Sequence, residues 1–410
     1  MKGLIQPPDQ WIWSKIKYTA EFFTGWTPPT GNSASFEGEN RWANISDLGP
    51  RYLMDTAKRI SDKAVKDSAI RMSPKDSVLF SFKLSIGQVS FAGRDLYTNE
   101  AIATFPPQPG INARWAYWAF PIYIPLNASE NIYGAKLLNQ ELIRSADILV
   151  PPVDEQQRIA NFLDEQTERI DALIAEKEKL VLTVSELRQS TISNSVFVGG
   201  VPGWRQIRLK FLVLDIIDAE HKTVSFFDDG EYLVARTSNI KDGRLVLSDA
   251  KYTNQEGFQE WTRRAVPSPG DILFTREAPA GEACLVPEGI PLCLGQRTVL
   301  IRVDENKADA KFVLWSIYGG LAGRFIADLS QGSTVAHFNM PDIGNIPLFT
   351  GPLEQQRERA LTLEGKLGQF DSLSAHMMEH INRLKEYRAS LISAAVTGQI
   401  DINNFHLEAA

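Results

Sequence analysis

Apolar residues recur in alternating steps of four and three along the segment from Asp154 to about Phe197, with Gln166 and Lys177 as polar exceptions. No proline or glycine interrupts this segment, Pro151-Pro152 precede it, and Gly199-Gly200 follow it. The spacing is a heptad pattern and predicts one helix of about 45 residues, roughly 65 Å long. The apolar positions of its predicted seam are Ile159, Leu163, Ile170, Leu173, Leu180, Val184 and Leu187.

The same segment occurs a second time at a shift of 200 residues, which places Asp171 on Asp371 and Arg188 on Arg388. The second copy predicts another long helix. A helix of this length must cover its apolar stripe, so we expect the two helices to pack together in antiparallel directions. The predicted seam of the second helix is Leu363, Phe370, Leu373, Met377, Leu384 and Leu391.

The regions before the two helices repeat more faintly and contain short strand-like runs separated by turns. A shift of 195 residues places Arg41, Asn44, Ile45 and Asp47 on Arg236, Asn239, Ile240 and Asp242, and a shift of 194 places Val78-Leu79-Phe80 on Ile272-Leu273-Phe274. The predicted fold class is α/β (mixed α+β), with two pseudo-symmetric globular domains separated by two long helices that form an antiparallel coiled coil. The expected ranges are 1–150 and 200–350 for the domains, 151–199 and 351–398 for the helical segments, and 399–410 for a C-terminal tail.

The net charge of −7 and the pI of about 5.5 argue against strong, non-specific binding of nucleic acid by this chain alone. Only residues 1–150 have a positive balance, with 16 basic and 14 acidic residues. The chain has two cysteines, no apparent signal peptide and no apolar run near the roughly 20 residues that span a bilayer. These features predict a soluble cytoplasmic protein.

Motifs of catalysis and cofactor binding are not found in the sequence. It contains no phosphate-binding loop, no dinucleotide-type glycine fingerprint and no adenine-methylating motif, and its five histidines are scattered without ligand spacing. We therefore expect neither catalysis nor a metal site in this chain.

The run from Pro151 to Ala160, continued by Ile170-Asp171-Ala172-Leu173-Ile174, resembles the first helical region of type I restriction-modification specificity subunits. The runs Gly351 to Arg357 and Tyr387 to Gly398 resemble its second occurrence, and Val201-Pro202-Gly203-Trp204 resembles the start of a recognition domain. The resemblance covers nearly the whole chain.

This resemblance implies a subunit that selects a DNA site without performing chemistry. Each domain would be a target-recognition domain that reads one half of a bipartite, interrupted target in double-stranded DNA, and the helices would fix the gap. Two methyltransferase subunits and the motor-nuclease subunits would be its partners. S-adenosylmethionine, ATP and Mg would be bound by those partners and not by this chain.

Candidate DNA contacts are chosen because arginine, asparagine and lysine suit base edges or phosphates. For the repeated Asn-Ile-x-Asp unit, the alternative is a structural cap with a buried isoleucine. For the basic run from Lys58 to Arg71, which has helical spacing, the alternative is a solvated helix face. The candidates are Arg41, Asn44, Lys58, Arg59, Lys63, Lys66, Arg236, Asn239, Lys241, Arg276, Arg297, Thr334 and His337. A scaffold whose coiled coil joins two protein-binding domains, without DNA reading, is the alternative function.

Overall fold

A computed structural model describes residues 8–331, except Thr30, Asn32, His221 and Thr223, together with residues 338–402 and residue 405. The chain divides into two compact units, which comprise residues 1–176 with 380–410 and residues 177–379. Each unit contains a globular part with helices and strands, and segments of the same two 44-residue helices. The mixed α/β fold class is therefore confirmed.

The described part of the first unit contains short strands and short helices, and the first long helix begins in it. The strands are β1 (Ile12–Lys15), β2 (Phe23–Thr24), β3 (Asn40–Ala43), β4 (Tyr52–Leu53), β5 (Lys58–Ile60), β6 (Val78–Ser81), β7 (Val89–Ala92), β8 (Tyr97–Thr98), β9 (Ile102–Phe105), β10 (Ser129–Glu130), β11 (Lys136–Leu137) and β12 (Asp147–Val150). The helices are α1 (Ile16–Thr19), α2 (Asp62–Ser68), α3 (Ala113–Tyr123), α4 (Gln140–Ser145) and the long α5 (Val153–Val196).

A five-stranded sheet with the order β2-β9-β6-β7-β4 holds the core of the first unit. Strand β6 pairs with β9 on one side and β7 on the other, and all four of its residues are buried. Helix α3 packs on this sheet, where the ring centroid of Phe120 lies 4.5 Å from that of Phe105. A second sheet, β5-β3-β8, contains β3 and β8 as parallel neighbours. The loops that follow β3 and β8 therefore leave the same sheet edge.

The described part of the second unit has a closely related set of elements. Its strands are β13 (Arg205–Arg208), β14 (Val213–Asp218), β15 (Tyr232–Ala235), β16 (Ile240–Lys241), β17 (Arg244–Leu245), β18 (Tyr252–Thr253), β19 (Ile272–Thr275), β20 (Ala283–Leu285), β21 (Leu292–Leu294), β22 (Thr298–Val303) and β23 (Pro347–Thr350). Its helices are α6 (Gln255–Trp261), α7 (Ala310–Tyr318), α8 (Gly320–Gln331), α9 (Met340–Gly344) and the long α10 (Leu353–Val396), whose end belongs to the first unit.

The sheets of the second unit repeat the pairing of the first. The sheet β14-β22-β19-β20 carries the buried strand β19, and the sheet β18-β15-β21 contains β15 and β21 as parallel neighbours. Helix α7 contributes most of its residues to the core. Within the described residues no single helix is long and apolar enough to cross a membrane. Helix α7 and the following helical segment Gly320–Leu329 reach that length and composition only when they are taken together, and the pair is bent by 49°.

The predicted helices at Asp154 to Phe197 and in its second copy are confirmed as α5 and α10, but their predicted seams are partly wrong. Several predicted positions are buried: Ile159, Leu163, Ile170, Val184, Leu363 and Leu391. Three more are half-buried: Phe370, Met377 and Leu384. The positions that are 43–52% exposed are Leu173, Leu180, Leu187 and Leu373.

Two of the wrong positions, Leu173 and Leu187, are displaced by one residue from the buried stripe. Ile174 is buried beside the exposed Leu173, and Arg188, with a side chain only 16% exposed, lies in the stripe beside the exposed Leu187. Neighbouring residues point about 100° apart around a helix, so only one of two adjacent apolar residues can face the packed side. The sequence pattern favoured the leucine at each position, whereas the packed stripe includes a charged residue.

The long helices make corresponding contacts within each unit. In the first unit Arg388 on α10 donates to Asp171 on α5 at 2.8 Å, and in the second unit Arg188 on α5 donates to Asp371 on α10 at 3.1 Å. These residues are the ones that the shift of 200 residues aligned. The guanidinium group of Arg388 lies 5.7 Å from the ring centroid of a tryptophan on α3. That of Arg188 lies 5.7 Å from the ring centroid of a tryptophan on α7. One framework is therefore built twice.

The fainter repeat is confirmed in one part and wrong in another. The predicted match of Val78-Leu79-Phe80 with Ile272-Leu273-Phe274 is confirmed, because both runs form the buried strand at the same place in their sheets. The match of Asn44 with Asn239 is wrong. Ala43 and Ala235 end the equivalent strands β3 and β15, so Asn44 corresponds to Arg236.

Candidate functional site

The loops at the ends of the parallel strands β15 and β21 enclose a recess of about 320 Å³ in the second unit, which we call the strand-end recess. Gly295 after β21 donates to the carbonyl of Ala235 at the end of β15, at 2.9 Å, which holds the two loops together. Open sheets bind ligands preferentially at the carboxyl ends of parallel strands. The polar lining of the recess is Arg236, Thr237, Ser238, Gln296 and Arg297.

Carboxylates anchor both arginines of the strand-end recess. Arg236 donates to a carboxylate oxygen of Asp249 at 2.9 Å, and this hydrogen bond lowers the pKa of Asp249 below its usual value. Arg297 pairs with Glu277 at 3.1 Å. These two pairs make the recess nearly neutral while they orient two guanidinium groups. Oriented hydrogen-bond donors at low net charge suit the recognition of base edges better than the attraction of phosphates.

The corresponding edge of the first unit carries different chemistry. Asn99 after β8 donates to the carbonyl of Ala43 at 2.9 Å, as Gly295 does to Ala235. The next residue is Glu100, which therefore occupies the position of Gln296. Its carboxylate accepts a hydrogen bond from the Thr27 hydroxyl and is 51% exposed. A carboxylate accepts hydrogen bonds only, whereas the amide of Gln296 both donates and accepts.

The two asparagines among the candidates have structural roles. The side-chain oxygen of Asn44 accepts a hydrogen bond from the backbone N–H of Ser46 at 2.8 Å, and the backbone N–H of Asn44 donates to the carboxylate of Asp47 at 2.9 Å. Asn44 therefore caps this turn, as the structural alternative predicted. Asn239 is 1% exposed and its amide donates to the carbonyl of Val246 at 2.9 Å. Burial takes Asn239 out of the candidate set.

The basic run from Lys58 does not form one helical face, so the helical spacing predicted for it is wrong. Lys58 and Arg59 lie on β5, and Ser61 then caps α2, which carries Lys63 and Lys66. The helical prediction holds only for the last two lysines. It failed because the strand and the helix follow one another without a glycine or proline between them.

Carboxylates neutralise much of the charge on this surface. Arg41 and Arg59 both donate to Asp55, at 3.2 and 3.1 Å, and Lys63 pairs with Asp67 one turn later on α2. Within the described residues Lys66 is exposed without an ion-pair partner. The first unit therefore offers a mixed surface rather than a strongly positive one.

The remaining candidates of the second unit lie in different environments. Arg276 is 9% exposed, pairs with Asp218 at 2.5 Å and donates to the carbonyl of Phe338, so it belongs to the core and leaves the candidate set. Lys241 is exposed on β16. Thr334 and His337 lie outside the described residues.

Three polar residues of the strand-end recess, Thr237, Ser238 and Gln296, were not predicted from the sequence. Gln296 is exposed, and its side chain has no hydrogen-bond partner within the part of the chain that the structure describes. The available signal was a short polar run, Gly295 to Arg297, directly after a buried strand. Without the parallel pairing of β15 and β21, nothing in the sequence placed this run beside Arg236.

Nucleophilic and metal chemistry find little support among the described residues. No group of three or more His, Cys, Asp or Glu side chains is arranged to hold a metal ion there. Cys284 and Cys293 are buried, and burial raises the pKa of each thiol to about 12. Both thiols are therefore protonated near neutral pH and unsuited to act as nucleophiles.

The chain resembles proteins of one family in sequence. Residues 8–183 match the family model described as "Type I restriction modification DNA specificity domain". The MjaIX specificity subunit of a type I restriction enzyme from Methanocaldococcus jannaschii is 29% identical, over 96% of this chain and 94% of that protein. The EcoBI specificity subunit from Escherichia coli is 31% identical over 70% of this chain and 66% of that protein.

The fold agrees with this sequence similarity. One similar solved structure has a title that concerns complex assembly and conformational transition of the type I R-M system. Its chain matches this one with a TM-score of 0.75 at 16% sequence identity, over 96% of this chain and 100% of that chain. At this identity the match supports the fold. The sequence relatives do not favour the scaffold alternative, and together these similarities show that the chain belongs to the family of type I restriction enzyme specificity subunits.

Proposed function

We propose that this chain selects the DNA target of a type I restriction-modification complex and that each unit reads one half of a bipartite, interrupted site. The observation that carries the proposal is the duplication of one framework with different strand ends. Arg188–Asp371 and Arg388–Asp171 repeat the framework, whereas Gln296 and Glu100 present different hydrogen-bonding groups. Two related readers with different contact groups suit a target whose halves differ in sequence.

Helices α5 and α10 are proposed to act together as an antiparallel coiled coil that sets the gap between the half-sites. Contacts within the second unit support this arrangement, because Arg188 meets Asp371 while Ser195, farther along α5, accepts from Arg359, nearer the start of α10. The proposed recognition domains are 1–150 and 200–350, the helical segments 151–199 and 351–398, and the tail 399–410.

The proposed partners are those that membership of this family implies. Two methyltransferase subunits would bind S-adenosylmethionine and methylate the target, and motor-nuclease subunits would use ATP and Mg. A net charge of −7 supports this division, since partners would have to supply much of the phosphate attraction. The candidates for direct DNA contact that remain on described residues are Arg41, Asn44, Lys58, Arg59, Lys63, Lys66, Arg236, Lys241 and Arg297.

Methylation by the purified chain and by its complex tests this function. The chain alone is expected to transfer no methyl group from labelled S-adenosylmethionine to DNA, whereas the complex with a cognate methyltransferase subunit methylates a defined two-part sequence. Footprinting of that complex should protect the same sequence. Methylation by the chain alone, or an assembled complex that protects no defined base pairs, would contradict the proposal.

Helix length gives an independent test of the coiled coil. Inserting one heptad after Lys179 in α5 and one after Glu379 in α10 keeps the period of each stripe. Seven residues add roughly 10 Å, so the gap between the half-sites is expected to grow by about three base pairs. An unchanged gap in a complex that still methylates DNA would show that the helices do not set it.

A further inference from the structure

We infer that the strand-end recess is the base-reading site of the second unit and that the amide of Gln296 reads an adenine there. This inference rests on the proposed function, and it names the residue of the second unit that contacts a base and the base that this residue recognises. Three features of the recess carry it: a fixed backbone, an unpaired amide group and a near-neutral rim of oriented donors.

The backbone around Gln296 is held tightly. A Cβ on Gly295 would lie 2.8 Å from the carbonyl oxygen of Ala235, so glycine is required where the two loops cross. The hydroxyl of Thr298 donates to the carbonyl of Gly295 at 2.6 Å, and the carbonyl of Arg297 accepts from the backbone of Arg276 at 3.0 Å. Gln296 is therefore presented from a turn fixed at both ends.

Arg297 adopts a backbone conformation that is unfavourable for its residue type. Its φ angle is +73°, in the left-handed region that side chains other than glycine rarely enter. Such strain persists where the surrounding hydrogen bonds impose it, and it is concentrated at functional sites. Here it directs two consecutive polar side chains, Gln296 and Arg297, to the same recess.

The chemistry of the recess suits an adenine. The amide of Gln296 offers one donor and one acceptor side by side, which match the N7 and N6 groups that adenine exposes in the major groove. Arg236 and Arg297 are each paired with a carboxylate, so the rim adds donors without a net positive charge. A site of this kind discriminates between bases more than it attracts the phosphate backbone.

The first unit gives a contrast within the same molecule. Glu100 stands where Gln296 stands in the second unit, and its carboxylate accepts hydrogen bonds, as recognition of the cytosine amino group requires. Substituting Gln296 is thus expected to change one half-site and substituting Glu100 the other. The two substitutions identify which half of the target each unit reads.

The test uses the full chain in complex with its methyltransferase subunit, expressed in a host that lacks other adenine methylation. Methylated sites are mapped by single-molecule sequencing for the wild type, Gln296→Ala, Glu100→Gln and the control Gln259→Ala, which removes an exposed glutamine of α6 in the same unit. Gln296→Ala is expected to weaken the preference for adenine at one position by about tenfold to a hundredfold. Gln259→Ala should leave every position unchanged.

Further outcomes separate this inference from the proposed function. If a variant methylates too weakly to be mapped, selection of bound oligonucleotides by the same complex gives its base preferences. Unchanged preferences for Gln296→Ala, or changes by Gln296→Ala and Glu100→Gln in the same half-site, would overturn the inference. A wild-type complex without any defined two-part site would instead overturn the proposed function.

Discussion

In both units a buried glutamine near the start of a long helix holds the first turn of the helix that covers the sheet. Gln156 accepts from the backbone N–H of Asn112 at 2.8 Å, and Gln356 accepts from that of Asp309 at 3.1 Å. Asn112 and Asp309 cap α3 and α7, so each glutamine fixes a globular part to its helix. The framework that joins domain to helix has been kept in both units.

The units differ about two turns farther along the same helices. In the first unit Asp164 accepts hydrogen bonds from Arg51, Arg114 and Trp118. In the second unit Glu364, at the corresponding position, is bonded to Lys311 alone among the contacts that the structure describes. The buried glutamine is therefore common to both units, whereas the charged contacts near it differ, as the strand ends do.

The largest effect is expected from removing the shared glutamines. Gln156→Met and Gln356→Met keep a similar volume but leave backbone groups without partners, so each should lower the free energy of unfolding by about 3 kcal/mol. Urea unfolding of both variants measures this. A loss in one variant and none in the other would break the equivalence of the two units.

Asp164 and Glu364 sharpen the difference between the units. Asp164→Asn should lower the free energy of unfolding by about 2 kcal/mol, because two guanidinium groups lose a partly buried carboxylate, and Glu364→Gln by less than about 1 kcal/mol. Equal losses, measured by urea unfolding at neutral pH, would contradict the comparison.

Acid removes the contribution of Asp164 as well. Burial raises the pKa of Asp164, but the hydrogen bonds from Arg51, Arg114 and Trp118 outweigh it and hold the pKa below its usual value. A lowered pKa in the folded state stabilises the protein above the unfolded pKa, and that stabilisation disappears as the pH falls through the folded pKa. The difference between wild type and Asp164→Asn should therefore shrink on acidification.

The helix-to-helix ion pairs should give a smaller contrast. Asp371 accepts from both Arg188 and Arg244 and is 28% exposed, whereas Asp171 pairs with Arg388 and is 52% exposed. Asp371→Asn is expected to lower the free energy of unfolding by about 1 kcal/mol, and Asp171→Asn by about half as much. Addition of 1 M salt to the urea titration should reduce both losses in the free energy of unfolding. A loss that salt does not change would mean that the aspartate contributes through packing and not through its charge.

The smallest effect is expected at exposed leucines that the sequence assigned to the seam. Leu173→Ala in the first unit and Leu373→Ala in the second should each change the free energy of unfolding by less than about 0.5 kcal/mol, because both side chains are already 44–47% exposed. Ile174→Ala, which removes a buried side chain, should cost about 2 kcal/mol and serves as the matched control. A larger loss in the free energy of unfolding for Leu173→Ala than for Ile174→Ala would support the seam predicted from the sequence.

The long helices and the duplication could be predicted from sequence because they depend on local periodicity and on a constant shift. The seam register could not, since Arg188 takes a stripe position by pairing with Asp371, a contact between residues distant in the chain. The match of Asn44 with Asn239 failed for a related reason. Strand pairing, rather than residue identity, decides that Arg236 is the counterpart of Asn44, and only this pairing brings Gln296 into the recess.

Exchange of one proposed recognition domain tests whether each unit reads its own half of the target. Residues 200–350 are replaced with the corresponding region of a relative such as the MjaIX specificity subunit, and the methylated sites of the resulting complex are mapped. One half of the target is expected to change to that of the relative, while the other half and the gap remain. A change in both halves, or in neither, would contradict the proposed function.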